Sequence, residues 1–357
     1  MGSKVILMDH FLPNPSDILT PICRSTGISG LSFALYSPQR EPVLFSYGNT
    51  QFAGIEPVTE NTSFQLASVS KFVTACLVLE LVQKDALTLN QSITSDIIRI
   101  WPESSAIFKE YDLITWEHLL SHRAGFLDHG GLLGVDTDYS CLIEPSIWKS
   151  DPLRFYSHDH VGKFHYSACG FWLIQRLLSD LFGMDFSQLI EQYLFSPLQM
   201  INSFADQSAA AYHQFASGHV GELSLPSSYM RFPNCEAVAG IWSSSSDILL
   251  LMAHLLRSSR VVTRGTHMVH SVMFSDLLAS PFSGSYRLGV QEYRDQNDCF
   301  YGHTGLNLGF SSGLVLDNSL SSGASILINH EISAPKMKSF LKIGYLLMRH
   351  YAQEDLS

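Results

Sequence analysis

Between Phe72 and Val82 the chain is apolar nearly all the way round, and Ser68-Val69-Ser70-Lys71 opens the run. A helix without a polar face has to be enclosed by other elements, so this stretch commits the chain to a core on every side of it. The opening residues place a hydroxyl and an amine three positions apart, the S-x-x-K spacing. On a helix, positions i and i+3 share a face with Cβ atoms roughly 5–6 Å apart, so a seryl Oγ and a lysyl Nζ meet without help from distant sequence. Burial would disfavour the ammonium form of Lys71 and make it a proton acceptor at neutral pH. Ser68 falls at the helix start, where free N–H groups and the dipole favour a developing oxyanion. On the motif alone, an N-cap serine followed by a first-turn surface lysine fits as well.

Composition narrows the partners. The chain has 357 residues, 46% hydrophobic and only 15% charged, with a formal net charge of −11 and no run of Lys or Arg. A large packed core is expected, and nucleic acid and anionic membrane surfaces are excluded as partners. No apolar stretch approaches the length of a membrane span. Met1 to Pro15 does not read as a secretory signal, and Ile6 breaks the myristoylation pattern that Met1-Gly2 begins. Cys23, Cys76, Cys141, Cys169, Cys235 and Cys299 are scattered without C-x-x-C spacing, which reads as reduced, mostly buried thiols in a cytoplasmic protein.

Leu31–Ser37 and Val43–Tyr47 read as two strands around a Pro38-Gln39-Arg40 turn. Further strands are predicted at Tyr286–Tyr293, Cys299–His303, Ser312–Leu316 and Ala324–Ile328, the last two around Asp317-Asn318. A closing helix, Pro335–His350, lines up Met337, Phe340, Leu341, Tyr345 and Met348 on one face, with Ser333 as its cap. Between the strand-rich ends, Leu87 to His254 is mostly helical. The expected fold is α+β, an α/β sandwich: an antiparallel sheet flanked by helices and built from both chain ends (1–86 and 255–357), with an inserted helical domain at 87–254 and a cleft between them.

Two more segments carry chemistry. Tyr166-Ser167-Ala168 precedes an apolar helix, Phe171–Leu181, and a phenol there beside a lysine could move protons; a core tyrosine is the plainer interpretation. Tyr301-Gly302-His303-Thr304-Gly305 ends a predicted strand, where Gly305 lets backbone approach a ligand and a cation or donor at His303 would orient lysine and tyrosine. In this order, Ser68-x-x-Lys71, Tyr166-Ser167-Ala168 and His303-Thr304-Gly305 resemble the motif set of the serine β-lactamase and penicillin-binding protein superfamily. The likeness is greatest to class C β-lactamases, DD-peptidases, D-aminopeptidases and related esterases. Thr115–Gly125 is similar to its I-T-x-x-x-L-L-x-H-x-S-G-L segment, Ala239–Ser243 to its A-G-G-L-x-S segment, and Asp247 to its downstream aspartate. The likeness runs from about Gly30 to Leu347.

The resemblance implies that Ser68 is acylated, that Lys71 and Tyr166 share the acid and base work, and that the N–H groups of Ser68 and Leu306 form the oxyanion hole. It gives His303, Thr304 and Gly305 to substrate contact. Two departures bear on substrate. Ala168 stands where β-lactam- and D-peptide-cleaving members carry an asparagine amide. Histidine replaces the lysine that classical β-lactamases use to meet a substrate carboxylate, and Gln291, with Arg294 nearby, falls near the arginine of the DD-peptidases. These imply an esterase or amidase of small molecules with weak or no β-lactamase activity. An acyltransferase, a D-peptidase or β-lactamase, and a non-catalytic ligand-binding descendant are the alternatives. The expected partner is a small-molecule acyl substrate; oligomeric state stays open.

Rival signals are weaker. Gly309-Phe310-Ser311-Ser312-Gly313 matches G-x-S-x-G, but a nucleophile elbow needs a strand, a turn and then a helix, and here a strand and hairpin follow. Among fifteen histidines, His158, His160 and His165 cluster and His118 and His122 are spaced i, i+4. No H-E-x-x-H or ligating carboxylate joins them, so neither metal nor cofactor is expected. The segment Asp128 to Asp159 is expected to wall the cleft.

Overall fold

The computed structural model describes residues 14–106, 108, 113–127, 156–205, 214–225, 235–257, 277–278, 282, 284–295, 298–317 and 321–353. Residues 128–155, most of the expected cleft wall, and Cys141 lie outside them. A six-stranded antiparallel sheet takes strands from both ends of the chain: β1 (Gly30–Tyr36), β2 (Val43–Gly48), β9 (Gln291–Asp295), β10 (Asp298–Asn307), β11 (Phe310–Asp317) and β12 (Ser322–Ile328), in the order β2-β1-β12-β11-β10-β9. Short pairs elsewhere include β3 (Phe64–Gln65) with β8 (Trp242–Ser243) and β4 (Ala124–Phe126) with β5 (Tyr156–Val161). β6 (His219–Val220) pairs with β7 (Leu223–Ser224). The mixed helices and antiparallel sheet are the α+β architecture that the sequence predicts.

Both faces of the sheet are covered, and strand periodicity sorts the side chains. Leu31, Phe33, Leu35, Val315, Ala324, Ile326 and Ile328 turn to one face, under helices α1 (Pro15–Thr26) and α8 (Ala334–Gln353). Ala34, Tyr36, Leu314, Leu316 and Leu327 turn to the other, toward α2 (Val69–Gln83). The face of α8 read from sequence is the buried one: Met337, Phe340, Leu341, Tyr345 and Met348 all pack in that core. Every residue of α2 from Val69 to Leu79 is buried, as an all-apolar helix requires.

Between β2 and β9 the chain supplies α3 (Thr94–Ile100), α4 (Trp116–Leu120), α5 (Ala168–Phe182), α6 (Phe186–Ile190) and α7 (Ser245–Arg257). Helix α7 packs against β1 and β12, and it runs through 254–255, where sequence sets the domain boundary. At its start the buried Asp247 carboxylate accepts hydrogen bonds from the Asn202 amide and the Ser203 hydroxyl, both at 2.7 Å. Cys23, Cys76, Cys169 and Cys235 are buried and unbridged, and Cys299 is exposed and unbridged. Among the described residues no helix is long and apolar enough to cross a membrane.

The C-terminal strands depart from expectation in two places. The predicted Tyr286–Tyr293 strand begins only at Gln291, because residues 285–292 fold back on themselves. Gly289, at φ +76°, permits the turn, and the Arg287 amide donates to Val290 O at 2.8 Å. The predicted stop after His303 is also absent: β10 continues through Gly305 to Asn307.

Candidate active site

Local backbone geometry aims Ser68. It enters α2 with φ −66° and ψ −10°, and its hydroxyl makes no capping bond. The amides of Val69, Ser70 and Lys71 are taken by the carbonyls of Leu66, Ala67 and Ser68, a ladder that does not use the Ser68 amide. Ala67, just before it, sits at φ +48°, a left-handed conformation that costs a non-glycine residue about 1–3 kcal/mol. The surface-lysine interpretation fails here: Lys71 is 0% exposed. Its Nζ donates to Ser68 Oγ at 3.3 Å and to Val238 O at 2.9 Å.

Val238 belongs to a π-helical turn, Glu236–Gly240, fastened from several sides. Thr74 Oγ1 donates to Ala237 O, Gln175 accepts from the Ala237 amide, Asn307 Nδ2 donates to Ala239 O, and Ser70 Oγ accepts from the Ile241 amide. A carbonyl held this way gives the lysine one orientation.

Tyr166 reaches the same point from the far side, its ring centroid 5.1 Å from Lys71 Nζ. Two residues on, Ala168 is buried at the start of α5. Tyr166 packs on the His122 ring at a centroid distance of 4.4 Å. His122 is itself at φ +58°, a second left-handed non-glycine residue at the site. Its Nδ1 accepts from the Ser167 amide at 3.1 Å, which puts the ring proton on Nε2. Burial first, then the neighbouring Lys71 and His303, hold its pKa well below the usual histidine value.

β10 closes the third side. A Cβ on Gly305 would stand 2.3 Å from Leu66 O and 2.9 Å from the Ser68 amide nitrogen, so only glycine lets this strand lie against the nucleophile. His303 is paired with Leu314 and shares the α2 face with it, two positions from Gly305. Thr304 and Leu306 alternate to the opposite face: the Thr304 side chain hydrogen-bonds Tyr293, and Leu306 packs in the α8 core. Neither of these two side chains lies on the face that Gly305 turns to Ser68.

Of the cation or donor expected at His303, the geometry gives a neutral ring that donates. Its Nδ1 lies 2.7 Å from Thr304 O, an atom that only accepts, so Nδ1 carries the proton; Nε2 then accepts from the Tyr286 hydroxyl at 3.1 Å. Burial, with Lys71 adding to it, lowers the His303 pKa to about 3, while burial raises that of Tyr286 well above 10. The ring at this place is neutral, donating through Nδ1 and accepting through Nε2.

Those histidines also set an acid limit on stability. An unfolded histidine takes a proton near pH 6.5, and folded His303 only near 3. Between those values the unfolded chain binds more protons, so the contribution of these histidines to stability is full above about pH 6.5 and falls as pH drops toward 3. Melting midpoints measured against pH should decline below about 6.5. His303→Gln should make the decline shallower, and an unchanged slope would reject the assignment.

Sequence passed over Tyr286 and gave His122 no role at the site. His122 was visible inside the Thr115–Gly125 segment, whereas nothing local marks Tyr286. The histidines weighed as metal ligands fall in two places. His118 Nδ1 lies 2.8 Å from Thr115 Oγ1 in the cap of α4, and His160 Nδ1 lies 2.6 Å from His165 Nε2 on the hairpin that leads to Tyr166. Among the described residues no group of three or more His, Cys, Asp or Glu is placed to hold a metal ion.

Ser311 is interior to β11, where its hydroxyl donates to His330 O at 2.9 Å and accepts from the Ile332 amide at 3.1 Å. Ser311→Ala should therefore lower stability by about 1–2 kcal/mol in denaturant titration and leave turnover within about threefold. Loss of activity without loss of stability would restore it as a nucleophile.

The sheet of both chain ends, the serine–lysine pair on α2 and the strand passing the nucleophile are the arrangement of the serine β-lactamase and penicillin-binding protein superfamily. Residues 16–339 match the Beta-lactamase family model, and the chain belongs to that family. Beta-lactamase of Escherichia coli (strain K12) is 27% identical over 206 residues, 56% of this chain and 50% of that protein. Probable fimbrial assembly protein FimD, serogroup H1, of Dichelobacter nodosus is 23% identical over 311 residues, 84% of this chain and 73% of that protein. The matched region spans about half the length of the Escherichia coli and Yersinia enterocolitica β-lactamases. In structure, the octameric penicillin-binding protein homologue from Pyrococcus abyssi superposes with a TM-score of 0.74 at 17% identity, covering 95% of this chain and 78% of that one. A class C beta-lactamase gives 0.71 at 17% identity, covering 94% and 95%. These last two likenesses concern the fold.

Proposed function

We propose that the protein is a serine hydrolase that cleaves a small-molecule ester or amide through an acyl-Ser68 intermediate. The observation that carries this is the 3.3 Å contact between Ser68 Oγ and the fully buried Lys71 Nζ, with the Tyr166 ring over the same nitrogen. Ser68 Oγ attacks the acyl carbon while its proton passes to Lys71 or Tyr166 in its basic form. The carbonyl oxygen becomes an oxyanion between the amides of Ser68 and Leu306, which are brought close by Gly305. Collapse breaks the bond to the alcohol or amine, and the held proton goes to that leaving group. Water repeats the sequence on the acyl-serine, releasing the acid and restoring the hydroxyl.

Ala168 offers no amide to an acylamido side chain, and His303 offers no positive charge. Both favour a simple ester or amide over a β-lactam or D-peptide. The test is intact-mass analysis of the folded protein after a fluorophosphonate probe, and after a panel of p-nitrophenyl esters, acyl thioesters, D-amino-acid amides and β-lactams, with Ser68→Ala as control. A single adduct that maps to Ser68 and is absent in the variant is expected; no adduct with any reagent defeats the proposal.

A further inference from the structure

His303 lies on the flank of the nucleophile, two residues along β10 from the glycine that abuts Ser68, and faces the same side. Its two nitrogens are both engaged: Nδ1–H donates to Thr304 O, and the Nε2 lone pair takes the Tyr286 hydroxyl proton. Tyr286 is fixed in turn, because the turn at 285–292 sets its backbone and Arg123 donates to its carbonyl at 3.2 Å. With both ring nitrogens and the phenol proton committed, the pair has no donor left for an anion at this flank.

Among the described residues, the positive groups of this region are held elsewhere. Arg123 is 1% exposed, its guanidinium between the rings of Phe164 and Phe282 and donating to Ser121 O. Arg287 and Arg294 both pair with the buried Glu292 carboxylate. Arg294 is paired in register with Cys299, about 10 Å along the sheet from Gly302, and the residue opposite Gly302 is the neutral Gln291. Lys71 Nζ is buried behind Ser68 on Val238 O.

From this juxtaposition we infer that the Tyr286–His303 pair determines specificity: the site accepts acyl donors whose leaving group is uncharged and discriminates against those carrying a carboxylate beside the scissile bond. The inference rests on the acyl-serine reading and deepens it to a substrate class. A carboxylate at the flank would lose water without gaining a donor, whereas a neutral ester or aryl group meets only ring edges and the aromatic wall of Tyr166, Tyr286 and Phe164.

Two phenylacetyl esters separate the outcomes, one of methyl 3-hydroxybenzoate and one of 3-hydroxybenzoate, alike except for one carboxylate on the leaving group. The neutral ester should have the higher kcat/KM by about 10-fold or more. His303→Lys should shrink that ratio by about 10-fold, because an ammonium there restores a partner for the anion. His303→Gln, whose amide nitrogen can donate to an anion, should shrink the ratio about threefold or more even if the lysine variant misfolds. Equal or reversed preference in the native chain overturns the inference, as does a ratio that neither variant moves. Fluorophosphonate labelling of Ser68 in the same preparation tells the two failures apart: an adduct with the wrong preference sinks only the specificity, and no adduct sinks the acyl-serine reading with it.

Discussion

Lys71→Met should lower kcat for an activated ester by about 10³–10⁴-fold while leaving the fold intact. Methionine fills nearly the same volume, and it removes an amine whose burial is itself unfavourable. Against that gain stands the Val238 carbonyl, which loses its donor at a cost of about 1 kcal/mol or more. The two terms oppose, so the melting midpoint should move by no more than about 3 °C. Ser68→Ala should lose a comparable amount of activity. Because serine and lysine act on one proton, the double variant should fall no further than the worse single one. Multiplying losses would mean that the two side chains serve separate steps, and a Lys71→Met enzyme with near-native turnover would remove the lysine from the chemistry.

What could be read from sequence was whatever depends on local pattern. Helix α2 announced itself because no face of it is polar, and strands β11 and β12 because short apolar runs bracket the Asp317-Asn318 turn. Helix α1 was missed: Leu19 and Cys23 are its only large, fully buried side chains, and Pro21 interrupts the pattern. Its boundaries were nevertheless written in the sequence, with Asn14 capping the Ser16 amide, Pro15 in the first turn and Gly27 at φ +70° closing it. The end of β10 was misplaced because a glycine inside a strand reads as a stop. At Gly305 the missing Cβ instead makes room for the nucleophile. The meeting of Ser68, Lys71 and Tyr166 was legible through spacing and order, but the charge of His303 was not. That depends on which atoms meet its two nitrogens, and one of them, the Tyr286 hydroxyl, comes from a turn that the strand pattern concealed.

Gly305→Ala gives the sharpest test of how the strand meets the nucleophile. The added methyl would lie 2.3 Å from Leu66 O, 2.4 Å from Ser312 Oγ and 2.9 Å from the Ser68 amide nitrogen. Two of those three neighbours are backbone, and Ser312 Oγ is tied to Leu66 O at 2.6 Å, so none can swing aside. Either β10 moves out or the start of α2 does. Overpacking of this kind should cost about 3 kcal/mol or more in denaturant titration. A displacement near 1 Å between the Leu306 amide and Ser68 should lower kcat by about 100-fold in whatever protein remains folded. Gly344→Ala, in the middle of α8, is the matched control: its Cβ would make only ordinary contacts at 3.5–3.9 Å. There the loss of backbone freedom in the unfolded chain should dominate and stabilise the protein by about 0.5–1 kcal/mol, with activity unchanged. If Gly305→Ala behaved like Gly344→Ala, β10 could not lie against Ser68 in this register, and the oxyanion site assigned to the Ser68 and Leu306 amides would have no physical basis.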